Sequence, residues 1–560
     1  MNTETATLLE THFEIAFDSP KGVQKLRELI LMLAMQGKLV PQDPNDEPAS
    51  ELLLKIEVEK QRLLKEGKIK TPKLLPEIKL EEAPYDLPVT WKWVRLGHLI
   101  DLISGQHLLP NEYNEIGIGF SYYTGPADFG EINPNATRWT TVDRSIAIQN
   151  DILLTVKGAG VGKTNVLKEE RAAISRQLMA LRVIGINSDF LLVFLKTIFH
   201  ELQDLAVGIA IPGIGREDVL LRKFPLPPIA EQHRIVAKIE QLMARCDELE
   251  TLRNDRNQKR TNVHTAAIDR LLTAKADGDF QTAWTFISNH FSELYSVKEN
   301  VAELRKAILQ LAVMGKLVPQ DPTDEPASEL LKAIEFEKQR LVKEGKIKQI
   351  KVFQETKLEK IPYLIPQGWI WTTLEKLFAL VTDGDHQAPP KTDDGIPFLV
   401  IGNLNKGRVT LENCRFVPFD YYQALDWGRK PTRNDILYTV TGSYGIPIFI
   451  DCDHQFCVQR HVAIFKSVES SPVKYLTYLL KSEYALKYAT EVATGIAQKT
   501  VPLTGLRKMP ISVPPLAEQH RIVAKIDRLM ELCDRLDQQI EAAKTKQTEL
   551  LKSLMAKVGN

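Results

Sequence analysis

The sequence is poor in cysteine, in long apolar runs and in any excess of charge. Five cysteines among 560 residues do not make a disulfide framework, so we expect a reducing environment. No apolar run approaches the roughly 18–20 residues that cross a bilayer, and the N-terminus lacks the basic and apolar regions of a secretory signal. These absences predict a cytoplasmic protein with several domains and no membrane segment.

Charge does not point to a particular partner. The chain has 72 basic and 72 acidic residues, which gives a formal net charge of zero. Nucleic-acid-binding proteins often carry a basic excess, and this chain carries none. Any electrostatic footprint for a nucleic acid must therefore come from segregation of charge on the surface or from partner subunits.

The most informative feature that is present is an internal repeat. Residues 26–70 recur almost unchanged at 304–348, and residues 227–249 recur at 514–536. The stretches between the members of each pair match only weakly. Two near-identical frames therefore hold two dissimilar inserts, which suggests one partner surface offered twice and two different ligands.

The frames have helical patterns. Apolar spacing predicts one helix that ends near Gly37 and a second helix from about Ala49 to Glu66, with a Pro- and Asp-rich loop between them. A long helix follows each Pro-Pro pair, and apolar heptads run through its second copy. An apolar seam of this length must be buried against another helix, and we expect the two long helices to pair antiparallel as a coiled coil.

The inserts alternate short β-like runs with turns and a few helices. The strand candidates are 151–156, 178–183, 435–440 and 461–465, and the helix candidates are 190–205 and 472–490. We expect a Trp-x-Trp helix to open each insert. The related tracts DILLTVKGAG and DILYTVTGSY predict that both inserts share one α/β fold.

Three motifs could carry chemistry, and each has a plainer interpretation. The tract 158–164 resembles a phosphate-binding P-loop, but one residue is missing between its first glycine and the Gly-Lys pair; a turn between strands, with Lys157 and Lys163 near phosphates, is favoured. Cys452 and Cys457 could ligate a metal, but the spacing favours a hairpin with buried or idle thiols. The Asp-rich loops favour structural connectors over a nuclease site.

No motif supplies catalysis or a cofactor site. The tetrapeptide with which amino-methyltransferases hold adenine does not occur, and no glycine-rich cofactor loop follows an early strand. We therefore predict no catalytic residue, no metal and no cofactor in this chain.

Polar loops at matching places in the inserts are the candidate binding surface, because Arg, Asn, Gln and His contact base edges in the DNA major groove. Ordinary solvated loops are the alternative. In the first insert the candidates are Gln106, His107, Tyr122, Tyr123, Arg138, Lys157, Lys163, Arg176, Gln177 and Arg216. In the second they are Asp385, His386, Gln387, Asn403, Asn405, Lys406, Arg408, Arg433, Arg460, His461, Gln498 and Lys499.

The whole arrangement resembles the specificity subunit of type I restriction–modification enzymes. The resemblance rests on Pro-x-x-Trp-x-Trp, a variable insert and PP(I/L)AEQHRIVAKI with a long helix, all of it present twice. It covers essentially the whole chain, and the proline-terminated AEQ helix starts at 227–232 and 514–519 are its sharpest motif.

The resemblance implies an α+β (mixed) fold in which two α/β target-recognition domains are separated by long antiparallel coiled-coil helices, with an internal pseudo-two-fold repeat. The expected segments are an N-terminal helical connector (1–87), recognition domain 1 (88–228), a central long helix (229–275), a joint with a second helical connector (276–365), recognition domain 2 (366–515) and a C-terminal long helix (516–560).

The resemblance also implies the partners. Each recognition domain would contact one half of a split, asymmetric site in double-stranded DNA. The helices would dock two modification subunits, which carry S-adenosylmethionine and methylate adenine, and two further subunits would supply ATP- and Mg-dependent translocation and cleavage. The docking candidates are Gln232, Arg234, Lys238, Gln519, Arg521 and Lys525.

Two other hypotheses stay open from the sequence. One is a structural scaffold whose coiled-coil rod joins two ligand-binding domains. The other is a P-loop ATPase that uses Lys163.

Overall fold

The computed structural model describes residues 11–13, 15–19, 21–71, 74–130, 134–206, 213–274, 276–348, 362–386, 389–404, 406–496 and 498–559. The chain divides after Arg256 and again after Ala542 into two compact units. The first unit takes the chain up to Arg256 together with the segment from Ala543 onward, and the second takes the residues between.

The first unit combines a helix pair, an insert and the start of a long helix. Its helices are α1 (Gly22–Met35), α2 (Ala49–Lys65), α3 (Ser188–Thr197), α4 (Phe199–Leu205), α5 (Arg216–Leu220) and the beginning of α6 (Ile229–Thr273). Its strands are β1 (Lys92–Arg95), β2 (Ile100–Ser104), β3 (Phe120–Tyr123), β4 (Trp139–Thr140), β5 (Ile146–Ile148), β6 (Ile152–Thr155), β7 (Thr164–Val166), β8 (Arg171–Ile174), β9 (Leu178–Val183) and β10 (Lys223–Leu226).

The strands of the first unit form three sheets. An antiparallel sheet has the order β2-β9-β6-β7, and a mixed sheet has the order β4-β3-β8-β5, in which β3 and β8 run parallel. The third sheet is a ribbon in which β1 pairs antiparallel with β10, from Lys92↔Leu226 to Arg95↔Lys223. The insert therefore leaves and rejoins the rest of the unit through two neighbouring strands.

The second unit repeats this organisation. Its helices are α7 (Asp277–Asn289), α8 (Phe291–Leu294), α9 (Lys298–Val313), α10 (Ala327–Lys343), α11 (Phe419–Ala424), α12 (Val473–Leu480), α13 (Glu483–Val492), α14 (Leu503–Arg507) and the beginning of α15 (Leu516–Gly559). Its strands are β11 (Ile370–Thr373), β12 (Leu380–Asp383), β13 (Ile396–Leu399), β14 (Arg415–Val417), β15 (Ile436–Thr439), β16 (Pro447–Phe449), β17 (Cys457–Val458), β18 (Val462–Lys466) and β19 (Pro510–Val513).

Its sheets have matching topology. The antiparallel order β12-β18-β15-β16 corresponds to β2-β9-β6-β7, the pair β13-β17 is parallel like β3-β8, and β11 pairs with β19 as β1 pairs with β10. The prediction that both inserts share one fold that mixes helices and strands is confirmed. All four strand candidates lie on strands, at β6, β9, β15 and β18.

Three local predictions were wrong. The Trp-x-Trp segments are strands, because tertiary ladders pair β1 with β10 and β11 with β19. The helix candidates 190–205 and 472–490 are each divided into two helices in the structure. In the second, the new helix α13 begins because the Ser482 side chain accepts a hydrogen bond from Ala485 N and caps its N-terminus. Cys452 and Cys457 are not joined by a hairpin, because β17 pairs with β13. The Cys457 thiol is buried, as expected, and burial raises its pKa to about 12.

Glycine explains the close approach of the helix pair to each insert. Gly37 and Gly315 have φ of +65° and +70°, which L side chains rarely adopt. A Cβ at Gly37 would lie 2.5 Å from Pro88 Cγ, and one at Gly315 would meet Pro366 in the same way. The glycine that ends the first helix is therefore required both by the turn and by contact with the proline before the tryptophan.

The long helices bury their apolar seams within the units. Ile235, Ile239 and Cys246 belong to the core of the first unit, beside residues of α1. Ile522 and Ile526 belong to the core of the second unit, beside residues of α9. The seam thus finds a partner in the helix pair of its own frame, and antiparallel pairing of α6 with α15 stays a prediction.

The last turns of α15 belong to the first unit. Leu551 and Leu554, near the end of α15, pack with Ala16, Phe17 and Leu29 in one apolar cluster. No helix of the described residues is both long and apolar enough to span a membrane.

The second unit has a buried histidine where the first has a leucine. His264 corresponds to Leu551 by the repeat, and Tyr295 corresponds to Phe17. The rings of His264 and Tyr295 meet edge to face at 5.3 Å. His264 is 1% exposed, and neither ring nitrogen has a hydrogen-bond partner among the described residues. Burial lowers its pKa.

We predict that His264→Leu stabilises the second unit. A buried polar group without a partner costs about 1–3 kcal/mol, and leucine fits the equivalent position in the first unit. The pKa of His264 in the folded protein lies below the ordinary 6.5, so the unfolded chain binds the proton more tightly. The wild type therefore loses stability as pH falls below 6.5. The variant avoids this loss, so its advantage in melting temperature grows toward acid pH.

Melting of both proteins from neutral to mildly acidic pH by circular dichroism measures the effect. Leu551→His is the reciprocal control and is expected to destabilise the first unit. A variant that melts at or below the wild-type temperature in acid would contradict the prediction.

Candidate functional site

In the first unit, sheet register gathers three loops at one edge. Ser104 at the end of β2 lies opposite Met179, and Thr155 at the end of β6 lies opposite Leu178. The end of β2, the end of β6 and the start of β9 therefore meet. The loops at this edge are 105–107, 156–163 and 175–177.

Hydrogen bonds tie these loops and one more together. Gln106 N donates to Ile174 O at 2.9 Å, and Ile214 N donates to Val156 O at 2.9 Å. Arg216 Nη1 donates to Ser104 Oγ at 2.8 Å. We call the resulting polar surface the first loop surface, and its members are Gln106, His107, Lys157, Arg176, Gln177 and Arg216, all exposed.

The second unit has the equivalent surface. Asp383 at the end of β12 lies opposite Ala463, and Thr439 at the end of β15 lies opposite Val462. Gly442 N donates to Lys499 O at 3.2 Å, which adds the loop before α14. The second loop surface consists of Asp385, His386, Arg460, His461, Gln498 and Lys499.

Charges within the second loop surface are held in place. Asp385 Oδ1 accepts from Arg429 Nη1 and Oδ2 accepts from Tyr421 OH, both at 2.8 Å. Burial and then the Asp385 carboxylate raise the pKa of Tyr421. Burial and the neighbouring Arg460 lower the pKa of His461, which favours the neutral imidazole.

The structure also corrects several site predictions. Tyr122 and Tyr123 are 2% and 0% exposed; Tyr122 OH accepts from Leu108 N at 3.1 Å and Tyr123 OH donates to Glu169 Oε1 at 2.6 Å. Both rings belong to the core because β3 is a central strand, so their prediction as DNA contacts was wrong.

Three amides are also internal. Asn403, 8% exposed, accepts from Val400 N at 3.1 Å and donates to Glu412 O at 3.2 Å. Gln232 and Gln519 are 0% and 2% exposed and donate to the carbonyl oxygens of the proline five residues earlier. Because each side chain is used to close its own turn, the predictions of DNA contact for Asn403 and of docking for the two glutamines were wrong.

The other candidates lie away from the loop surfaces or at their margin. Arg138 stacks on Tyr113 at 5.1 Å. Arg433 makes a bidentate ion pair with Asp453 at 2.7 Å, at the opposite end of β15 from Thr439. Three further residues are exposed in loops: Lys163, Lys406 and Arg408. Gln387 and Asn405 lie outside the described residues.

The four other docking candidates on the long helices are partly or fully exposed. Arg234 pairs with Asp46, with Nη1 and Oδ1 3.1 Å apart, and Arg521 pairs with Asp324 in the same way at 3.2 Å. Lys238 donates to Gln241 Oε1 at 3.1 Å, and Lys525 is exposed. These four stay predictions.

The fold excludes a P-loop at residues 158–164. β6 pairs antiparallel with β7 from Ile152↔Val166 to Leu154↔Thr164, so the glycine-rich tract is the turn of a hairpin. A P-loop must lead from a strand into a helix whose N-terminus holds the phosphates. The ATPase hypothesis is therefore wrong, and the favoured turn between strands is confirmed. Within the described residues no group of three or more His, Cys, Asp or Glu side chains could hold a metal ion.

A carboxylate clamp that we did not predict joins the insert to both parts of its frame. Glu231, in the first turn of α6, is 0% exposed; it accepts from Trp91 Nε1 at 2.9 Å and from Gln42 Nε2 at 2.6 Å. In the second unit Glu518 accepts from Trp369 Nε1 and Gln320 Nε2, both at 2.9 Å.

Burial raises the pKa of both clamp carboxylates, and their hydrogen-bond donors partly oppose this shift. The recurrence of Gln, Trp and Glu in both frames could have revealed the clamp.

The topology and the two loop surfaces define a protein of two recognition units that present different sets of hydrogen-bonding side chains. A model of the type I restriction modification DNA specificity domain matches residues 88–256 and 422–543. The specificity subunit of the type I restriction enzyme EcoAI from Escherichia coli is 33% identical over 95% of this chain and 93% of the relative. That of EcoEI, from the same organism, is 31% identical with the same coverage.

A crystal structure of the HsdS subunit from Thermoanaerobacter tengcongensis is 32% identical over 36% of this chain and 47% of that chain, with a TM-score of 0.28. The chain belongs to the specificity subunits of type I restriction–modification systems, and its role is non-catalytic recognition of DNA sequence.

A buried ion pair supports the strand that follows Arg460 and His461. Lys466, at the end of β18, and Asp435, just before β15, each have 1% of their side chain exposed. The Lys466 ammonium also donates to Thr432 Oγ1 at 2.9 Å. In the first unit Asp151 pairs with Arg182 at 2.9 Å in the equivalent place.

We predict that Lys466→Met destabilises the second unit by about 3–5 kcal/mol, because it leaves a buried carboxylate without its cation. The double variant Asp435→Asn with Lys466→Met should recover part of this loss, since no unpaired charge is then buried. Urea denaturation followed by circular dichroism measures both free energies of unfolding.

Lys332→Met is the matched control, because this exposed lysine makes only a surface pair with Glu329, and it should change stability by about 0.5 kcal/mol or less. Equal stability of Lys466→Met and the wild type would refute the role of the buried pair.

Proposed function

We propose that each loop surface contacts one half of a split, asymmetric sequence in double-stranded DNA. The observation that carries the proposal is that the same end of the same sheet presents a different set of hydrogen-bonding side chains in each unit. The first surface offers Arg176, Gln177 and Arg216, and the second offers Arg460 and Gln498.

The residue types suit direct contact with bases. Arginine makes paired hydrogen bonds to guanine O6 and N7, and glutamine does so to adenine N6 and N7. Lys157, Lys163 and Lys499 would contact phosphates, which position the protein without reading sequence. The basic residues on these surfaces supply the segregated charge that the neutral chain requires.

Each of the two frames would bind one copy of the same partner subunit. Their near-identity supports two equivalent docking sites for methyltransferase subunits. The candidate contacts are the half-buried Arg234, Lys238 and Arg521 and the exposed Lys525. We further propose that α6 and α15, of 45 and 44 residues, pair antiparallel as a coiled coil and relate the units by a pseudo-two-fold axis. At about 1.5 Å per residue, each would span about two turns of DNA.

Chemistry would then be performed by the partners. S-adenosylmethionine is expected in the two modification subunits, and ATP and Mg in two restriction subunits that translocate and cleave DNA. The complex would act in the cytoplasm.

A domain replacement tests whether each insert recognises one half-site of the DNA sequence. Residues 91–228 are replaced by residues 369–515 of the same chain, and the variant is expressed with its methyltransferase subunits. We expect the first half-site to be lost and the second half-site to be methylated twice in inverted orientation. Sequencing that detects methyladenine measures this.

The wild-type chain in the same host is the control. Retention of the original first half-site in the variant would contradict the proposal, and so would a wild-type chain that directs no methylation, as the scaffold alternative predicts.

Arg460→Ala and Arg433→Ala form a matched pair at opposite ends of one sheet. We expect Arg460→Ala to cost about 1–3 kcal/mol of discrimination at one base pair of the second half-site. Arg433→Ala should change binding little, because this side chain is already paired with Asp453. Fluorescence anisotropy of the assembled methyltransferase complex at fixed salt measures both affinities. Equal effects of the two substitutions would place the recognition surface elsewhere.

A further inference from the structure

The carboxylate clamp occupies the base of each insert. β1 begins immediately after Trp91, and β10 ends just before the prolines that precede α6. The clamp thus joins the connector loop, the entrance of the insert and the first turn of the long helix through one side chain. In the second unit β11 and β19 have the same relation to Glu518.

Apolar packing also joins these three parts. Ile30, Trp91, Phe190 and Ile235 all belong to the core of the first unit. Apolar contact is non-directional and tolerates small rotations, whereas hydrogen bonds weaken steeply when their angles are distorted. The clamp is therefore one of the directional contacts that fix the angle between the insert and its frame, together with Lys60 Nζ to Gly97 O at 2.9 Å and Asn187 N to Gln232 Oε1 at 2.8 Å; of these, it alone brings three segments to one side chain.

Stability alone does not account for the clamp. A buried charge can often be replaced by apolar residues of similar volume at no loss of stability. Both units nevertheless bury a carboxylate with the same two donors, although their inserts have diverged. Such a polar contact is suited to selecting one geometry from several that apolar packing would allow.

We propose that the carboxylate clamp sets how strictly the protein discriminates the spacing between its two half-sites. This inference rests on the proposed contact with a bipartite site. One base pair of spacer changes the separation of the half-sites by about 3.4 Å and their relative rotation by about 35°, because a DNA turn has about 10 base pairs in about 34 Å. An insert held at a fixed angle cannot follow that rotation, and an insert with a broken clamp can.

The test uses Glu231→Gln in the full chain, assembled with its methyltransferase subunits. Glutamine keeps the size of the side chain but turns one acceptor into a donor that faces Trp91 or Gln42. The substrates are plasmids with both half-sites fixed and spacers from two base pairs shorter to two longer. We expect methylation of spacers altered by one base pair to rise about tenfold relative to the cognate spacer, a change of about 1.4 kcal/mol, with base preference in each half-site unchanged.

A charge swap provides rescue. In the double variant Glu231→Gln with Gln42→Glu, the carboxylate introduced in the connector loop accepts from the amide introduced in the long helix. The oxygen of that amide accepts from Trp91, so strict spacing should return. Glu47→Gln is the matched control, because Glu47 lies in the same loop and, among the residues that the structure describes, pairs only with the exposed Lys55. It should leave the spacing profile unchanged.

The outcomes separate this inference from the proposed function. A wild type whose methylation is independent of spacer would overturn both. A wild type with a sharp optimum and a Glu231→Gln profile that is unchanged, or lowered equally at every spacer, overturns the clamp inference alone. If Glu231→Gln does not fold, Gln42→Ala removes the other donor of the clamp at an exposed position and must broaden the profile in the same way.

Discussion

A carboxylate removed from water must find hydrogen-bond donors in its surroundings. Glu231 and Glu518 meet this requirement with an indole from the recognition domain and an amide from the connector loop. Because the donors come from distant parts of the sequence, satisfying one charge decides where three segments meet. The ribbons β1–β10 and β11–β19 begin and end beside that junction, and they connect it to the sheets that carry the loop surfaces.

This constraint changes how the near-identity of the frames is understood. From the sequence alone, the near-identity of the frames suggests one surface that is presented twice to the same kind of partner. Several of the repeated residues, among them Gln232, Gln519 and the clamp carboxylates Glu231 and Glu518, are instead internal. The repeat therefore preserves an interior geometry as well as an exterior, and only positions that reach the surface, such as Lys525, remain available to a partner. The inserts are free to diverge because the junction does not depend on their loops.

Much of the fold was predictable from local pattern, since buried strands such as DILLTV and DILYTV and capped helices have distinct periodicities. The Trp-x-Trp strands were not, because their conformation is decided by pairing with strands more than a hundred residues away. Sequence reasoning found the loops of the site but misjudged Tyr122, Tyr123 and Asn403, since polarity alone does not show whether a side chain faces solvent or closes a turn. The ion pair of Lys466 with Asp435 was missed for the same reason.

The packing of Leu551 and Leu554 on Ala16 and Phe17 has a consequence for synthesis. A ribosome releases the residues of the second unit, which are continuous in sequence, before it releases the last helix of the first. Domains usually fold in the order of their translation, but here the unit that is begun first is completed last. Until the turns that carry Leu551 and Leu554 emerge, the apolar surface around Phe17 lacks the cover that these two side chains give it in the folded unit.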